Sequence, residues 1–349
     1  MGRTTAAVLT AALMLLGTGC TDAGDGGGAL EEALSFAPAS YSSFGFTDWE
    51  AMRTYADIED ADPEDADPQI LADFNQPNTP LAFSYGALQY PDHRSNWGWN
   101  ELDLDWEAEV IPTEGPPFHV LGFNDDFELT DLTSKLEDNG FESSEIDGGD
   151  FYQTEDPESL LGTSPTTDLA IRTVAVLDEE NVAIVGADQE AAELSGGEDG
   201  SLADSESTES IADRFGDYAS VALAPGETCS QPALGPGTTP QIAEQLEDLR
   251  GNPYETLALG YRVEGEGEST GTIAMHYSDA SDAEEDLDRR PSVLEEENSL
   301  VSAQPYSELL EVTGSEVDGS DLVIEVDPAD GRLQLFEMFL QQDLSFALC

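Results

Sequence analysis

Tyr85, Tyr90, His93, Arg94, Trp97, Trp99 and Trp106 fall within 22 residues and take in three of the chain's four tryptophans. Rings beside a guanidinium can form a platform for a sugar, a peptide or a partner surface. Tyr85, Tyr90, Arg94, Trp97, Trp99 and Trp106 are therefore the candidate binding residues. The competing reading is that these rings cover a sheet and fill its core, since aromatic side chains dominate core burial.

The other reactive side chains form no pattern of comparable weight. The histidines, His93, His119 and His276, are widely spaced, and the last two sit in similar strand-like contexts. They read as sheet residues rather than ligands. The one lysine, Lys135, stands in Thr-Ser-Lys-Leu, which is neither a phosphate-binding Gly-Lys-Ser/Thr step nor a Ser-x-x-Lys nucleophile motif. No Cys-x-x-Cys or His-Glu-x-x-His occurs in the chain. Carboxylate pairs are too common to diagnose a glycosidase. The acid runs Asp60, Asp62, Asp65, Asp67 and Asp279, Asp282, Asp286, Asp288 lack the calcium-loop spacing. They read as a solvated surface that gathers cations diffusely, and Arg289-Arg290 beside the second run reads as a surface salt bridge. No residue set is expected to be catalytic or metal-ligating, and no cofactor is implied.

Charge narrows the partners further. Among 349 residues there are 75 Asp and Glu against 11 Lys and Arg, a formal net charge of −64. No basic stripe could offset phosphate charge, so nucleic acid is excluded as a partner. Electrostatic docking on anionic lipid is excluded by the same balance. The hydrophobic share of 39% still permits a packed core.

The N-terminus points to the compartment. Residues 1–20 run from Met-Gly-Arg through the apolar stretch Ala6 to Leu16 to Gly17-Thr18-Gly19-Cys20. A short positive start, an apolar run and small residues before a cut site make a secretory signal. The run is too short for a bilayer span, which needs about 20 residues. This segment resembles the lipoprotein-type signal peptides of prokaryotes, with Gly17 where leucine is usual. The acidic whole resembles the lipoproteins of high-GC Gram-positive bacteria and haloarchaea. The resemblance implies lipidation of Cys20, an extracytoplasmic location and a membrane partner held through the lipid. It implies no activity. With Cys20 lipidated, Cys229 and Cys349 remain, and an oxidising compartment favours a disulfide between them over two free thiols. That bridge would close a loop of about 120 residues and contribute on the order of 4 kcal/mol in the chain-entropy picture.

The elements that must position these residues follow from pattern. Residues 21–38 are glycine-rich and acidic and read as a flexible tether. A capping box, Thr47 with Glu50, predicts a helix carrying Trp49, Met52, Arg53 and Tyr55. Strand alternation is expected over 81–85, around Leu102 and Leu104, and over 118–123. Next come a helix over 129–136 stopped by Asn139-Gly140, and strands at 151–152, 171–177 and 182–185. A polar stretch, 195–210, leads to a short helix ending at Phe215, and a strand covers 218–223. The Pro- and Gly-rich segment 231–237 reads as a domain boundary. Beyond it the expected order is a helix from Thr239, strands at 256–263 and 272–277, a helix over 282–296 capped by Ser281, strands at 309–313 and 322–326, and a last helix over 332–340 begun by Asp327-Pro328.

The halves share an outline of strand, acidic turn, helix and an acid-hydrophobe-Asp-Gly hairpin turn, at residues 144–148 and 315–319. The expected architecture is α+β: a first module over 39–230 and a related second one over 231–349, each an antiparallel sheet with helices on one face. The expected role is that of a lipid-anchored surface protein, non-enzymatic, with a protein or envelope partner. The alternatives are an extracytoplasmic solute- or carbohydrate-binding protein using Tyr85 to Trp106, and a hydrolase built on scattered carboxylates.

Overall fold

Alternating apolar positions generate the strands of the computed structural model, which describes residues 28–59, 61, 63, 79, 83–86, 92–154, 171–195, 200–226, 247, 249–328 and 334–349. These strands are β1 (Tyr41–Asp48), β2 (Leu104–Pro112), β3 (Phe118–Phe123), β4 (Glu142–Ile146), β5 (Gly149–Gln153), β6 (Thr173–Leu177) and β7 (Val182–Val185) in the first half. β8 (Ser220–Pro225), β9 (Thr256–Gly265), β10 (Glu268–His276), β11 (Leu310–Asp318) and β12 (Asp321–Pro328) follow. They join in one 12-stranded sheet of order β11-β12-β10-β9-β8-β1-β2-β3-β7-β6-β5-β4. Every pairing is antiparallel.

The α+β class is as expected, but the sheet is shared rather than divided. β8 pairs with β1 through Phe44↔Leu223 to Thr47↔Ser220 and with β9 through Ser220↔Tyr261 to Pro225↔Thr256. Strands before and after the expected boundary at 230/231 thus bond directly, because β8 is buried along its length and has a partner on each side.

Helices cover both faces, not one. On one face α1 (Ala29–Ser35), α5 (Gln189–Ser195) and α6 (Glu206–Phe215) close over Phe44, Phe46, Val120, Ile184, Leu223 and Ala258. On the other, α2 (Trp49–Tyr55), α3 (His93–Trp97) and α4 (Leu129–Asp138) cover Leu121, Val174, Val176 and Val185. Farther along that face α7 (Ala280–Asp286), α8 (Arg289–Glu296) and α9 (Leu335–Leu340) cover Leu257, Leu259, Ile273 and Ile324. Central strands are apolar on both sides, as in Val182-Ala183-Ile184-Val185, all buried, so each face needs its own cover.

Several local expectations shift for identifiable reasons. The presumed tether at 21–38 contains α1, where Leu30, Ala33 and Leu34 repeat at helical spacing and are buried; Phe36 and Ala37 follow them into the core. The cap of α2 is Asp48, whose carboxylate accepts from Ala51 N at 2.8 Å. Thr47 instead lies within β1 and donates its hydroxyl to Phe83 O at 2.6 Å. Asp279, not Ser281, caps α7. The long helix at 282–296 is two, parted at Leu287-Asp288, with Pro291 in the first turn of α8. Pro328 ends β12 rather than starting a helix. Segment 83–86 is irregular, not a strand. The expected boundary at 231–237, the helix from Thr239, and Cys20, Tyr90 and Cys229 lie outside the described residues. Cys349 is disulfide-bonded.

Arg289-Arg290 is not a simple surface pair. Arg290 is fully buried, and its Nε donates to Asp286 Oδ2 at 3.0 Å. Its guanidinium also donates to Asn252 O at 2.7 Å, to Phe346 O at 3.0 Å and to Leu348 O. Tyr277 Oη and Asn252 N donate to the same Asp286 oxygen. Asp286, grouped in the sequence with a solvated acidic run, is the buried counter-ion of this clasp on the C-terminal residues.

Candidate functional site around Glu107 and His119

A β-bulge builds the site. Between Leu104 and Trp106 the β2–β3 register slips, so two residues that strict alternation would place on one face part company. Leu104 faces the α2–α4 side, whereas Trp106 turns to the α1 side. There Trp106 packs 6.1 Å from Phe36 and lies over Gly122, where a Cβ would come within 2.2 Å of the indole. From Trp106 onward the odd residues Glu107 and Glu109 share the α2–α4 face with Leu121 and His119 of β3.

Glu107 is fully buried. It pairs across the ladder with Thr47 of β1 and Leu121 of β3. Its Oε2 accepts from Trp49 Nε1 at 3.2 Å. Its Oε1 accepts from the Tyr85 backbone N–H and lies 3.0 Å from His119 Nδ1. Facing an ionised Glu107, which can only accept, a neutral His119 ring donates from Nδ1 and carries its lone pair at Nε2. The imidazole keeps 20% of its side-chain exposure above a carboxylate that keeps none. Segment 83–86 is laid across this face because Gly45 of β1 leaves room for it. A Cβ at Gly45 would approach the Phe83 ring to 2.1 Å.

Above the pair stands a nest of rings. Tyr85 meets His119 edge-on at 5.4 Å, His93 at 5.9 Å and Trp99 at 5.6 Å. His93 meets Trp99 at 4.9 Å. His93 is 3% exposed, and its Nε2 is buried without a hydrogen-bond partner. Burial pushes its pKa down to about 3, so the ring is neutral at ordinary pH. Burial likewise holds Asp103 above the usual carboxylate range, partly offset by Arg94, which bonds it.

Of the sequence's candidate residues, Tyr85, Arg94, Trp97 and Trp99 gather on this face, but not as an open platform. Trp97 and Trp99 are 2% and 1% exposed, and Trp97 packs against Phe141 rather than a cleft. Arg94 is engaged by Asp103. Trp106, 4% exposed, lies on the opposite face. The core-filling reading therefore describes the three tryptophans. Tyr85 and Arg94 keep partial exposure.

His119 and His276 differ more than their sequence contexts suggest. His276 sits on the α6 face, opposite to His119, and its Nδ1 lies 2.6 Å from Asp321, its direct partner across β10–β12. Asp321 also accepts from Ser210 of α6 at 2.5 Å. Sequence reasoning missed Glu107, because Trp106-Glu107-Ala108-Glu109-Val110 reads as a half-solvated strand with its acids in water. Among the described residues no group of three His, Cys, Asp or Glu side chains is arranged to hold a metal. No described helix is long and apolar enough to cross a membrane.

No family model matches the chain, and no curated protein matches it. A search of solved structures returns one titled "Structure of crystal form I of TP0453", at 11% identity and a TM-score of 0.40, covering 91% of this chain and 98% of that one.

Proposed function

We propose that this chain is a lipid-anchored extracytoplasmic protein that binds a protein or envelope partner and carries out no reaction of its own. The observation that carries the reading is the 20-residue N-terminal segment, whose apolar run Ala6 to Leu16 ends in small residues and Cys20. Because α1 begins at Ala29, the link from Cys20 to the folded body is short. Eight intervening residues span at most about 30 Å when fully extended, so the body rides close to the membrane. Among the described residues the exposed large apolar side chains are Val301 and Leu340, so the partner surface is polar and acidic rather than greasy. The buried carboxylates Glu107, Asp286, Asp321 and Asp343 are occupied by internal hydrogen bonds, which suits a scaffold better than a reaction centre.

Two finer readings belong with this proposal. The disulfide of Cys349 is assigned to Cys229, with Cys20 reserved for lipid. The units β3–α4–β4–β5 and β10–α7–α8–β11–β12 descend from one strand–helix–hairpin module; in the first, β6 and β7 stand between the hairpin and β3. A carbohydrate-binding role is the alternative, favoured by the partly exposed Tyr85 beside His119.

Lipid labelling tests the anchor. Grown with a labelled fatty acid in a bacterium that processes lipoproteins, the full chain is expected to take up label and sediment with membranes, whereas C20A does neither. Label retained by C20A, or a wild-type chain in the soluble fraction, overturns the proposal.

A further inference from the structure

Glu109 stands directly across the β2–β3 ladder from His119. Directly opposed residues share a face and have Cβ atoms about 5 Å apart. Glu109 is half-buried, with no hydrogen bond or ion pair among the described residues. His119 Nε2 is equally unengaged, and its ring is partly open to solvent. Its other nitrogen is bound to buried Glu107 at 3.0 Å. A carboxylate that takes the N–H of one imidazole nitrogen fixes the tautomer, orients the ring and makes the second nitrogen more basic, as in histidines that ligate metal ions.

We propose that His119 Nε2 and the Glu109 carboxylate form a two-ligand site for a divalent transition ion, with water in the remaining positions and Glu107 as the positioning residue. Imidazole with carboxylate suits copper and zinc better than magnesium or calcium, which prefer oxygen alone. The net charge of −64 raises the local concentration of any cation. His93 is sealed, and His276 has Thr256 and its own partner Asp321 across the ladder rather than a free carboxylate. The pair at β2–β3 is thus the one at which an available nitrogen and an available carboxylate are juxtaposed among the described residues.

Copper(II) is the probe, because its electron paramagnetic resonance spectrum reports bound nitrogen. The purified full chain is titrated at about 1 M salt, where the screening length falls to about 3 Å and diffuse attraction to carboxylates is suppressed. The expected result is one tightly held copper with the splitting of a single nitrogen, undisturbed by excess magnesium. H119Q, whose amide can still donate to Glu107, is expected to stay folded by circular dichroism and to lose that splitting. E109Q is expected to keep the nitrogen signal and bind about tenfold or more weakly. H276Q is expected to bind as wild type. Copper bound without nitrogen splitting, splitting that survives in H119Q, or displacement by magnesium each overturns the proposal.

Discussion

Neutral histidine in an aromatic nest is a liability in acid. Unfolded, His93 would titrate near the ordinary imidazole value of 6.5; folded, burial holds it at about 3. The folded pKa is depressed, so as pH falls below about 6.5 the unfolded chain takes up a proton that the folded chain refuses, and stability is lost progressively down to about 3. Between neutrality and pH ~5 this linkage is worth about 2 kcal/mol. His93→Phe removes the titration together with a buried nitrogen that lacks a partner, and it keeps ring contacts to Tyr85 and Trp99. The variant is expected to be at least as stable as wild type near neutrality and to lose about 2 kcal/mol less on going to pH ~5. Urea unfolding at the two pH values checks this; parallel losses in both proteins would show that His93 titrates freely. Burial of this kind was not legible in the sequence. Nothing in Pro91-Asp92-His93-Arg94 marks a histidine that faces inward, and nothing in Trp106-Glu107-Ala108 marks a glutamate that never meets water, because both depend on what the chain lays across the sheet.

At the scale of elements, strands and helices with a clean period were readable, and those set by contacts distant in sequence were not. β3 over Phe118–Phe123 and α4 with its Asn139-Gly140 stop follow from alternation and a three- and four-residue stripe. The Asp147-Gly148 turn between β4 and β5 follows from glycine's tolerance of its positive φ of 80°. The β2 bulge, by contrast, has no local signal, yet it decides which face Trp106 takes and which face Glu107 takes. α1 was hidden by the glycine-rich run before it, although Leu30, Ala33, Leu34 and Ala37 already carry a helical stripe. Two elements make sharp predictions. Gly45→Ala in β1 drives a methyl into the Phe83 ring and is expected to destabilise by about 1–3 kcal/mol, measured by thermal unfolding. An unaffected melting temperature would mean that segment 83–86 does not lie on β1. Arg290→Met strips Asp286 of its buried counter-ion, leaving only the more exposed Arg289 at 3.4 Å, and is expected to cost about 3–5 kcal/mol. The double variant R290M/D286L is expected to lose much less than the two single losses summed, because no uncompensated charge remains. Additive losses would place the pair in solvent.

For the whole molecule, the question is how a sheet with both faces covered tolerates a formal charge of −64. Among the described residues six arginines are already committed to carboxylates: Arg53, Arg94, Arg214, Arg262, Arg289 and Arg290. With 75 acids against 11 cations, most carboxylates have no counter-charge within the chain. Their mutual repulsion opposes compaction. It acts over about 10 Å at 0.1 M salt and about 3 Å at 1 M. Acid relieves it too: burial raises Glu32, Asp48, Asp103 and Asp105 above their ordinary values, so the folded chain protonates them first. Groups raised in the folded state favour folding below the unfolded pKa, and that advantage is lost as pH rises through the folded value. For these carboxylates and for the surface repulsion, neutral pH in dilute buffer is therefore the demanding condition. The melting temperature at neutral pH is expected to rise from dilute buffer to molar salt, each kcal/mol recovered showing as about 2–4 °C. Equal melting temperatures in both, followed by circular dichroism, would show that surface repulsion does not limit the fold. The buried clasp supplies the internal control. Arg290 and Asp286 are both fully buried, where salt screens little. The loss caused by R290M should therefore be the same in dilute buffer and in molar salt, even as the stability of both proteins rises. A loss that shrank with salt would mean that the clasp, like the surface, feels the solvent.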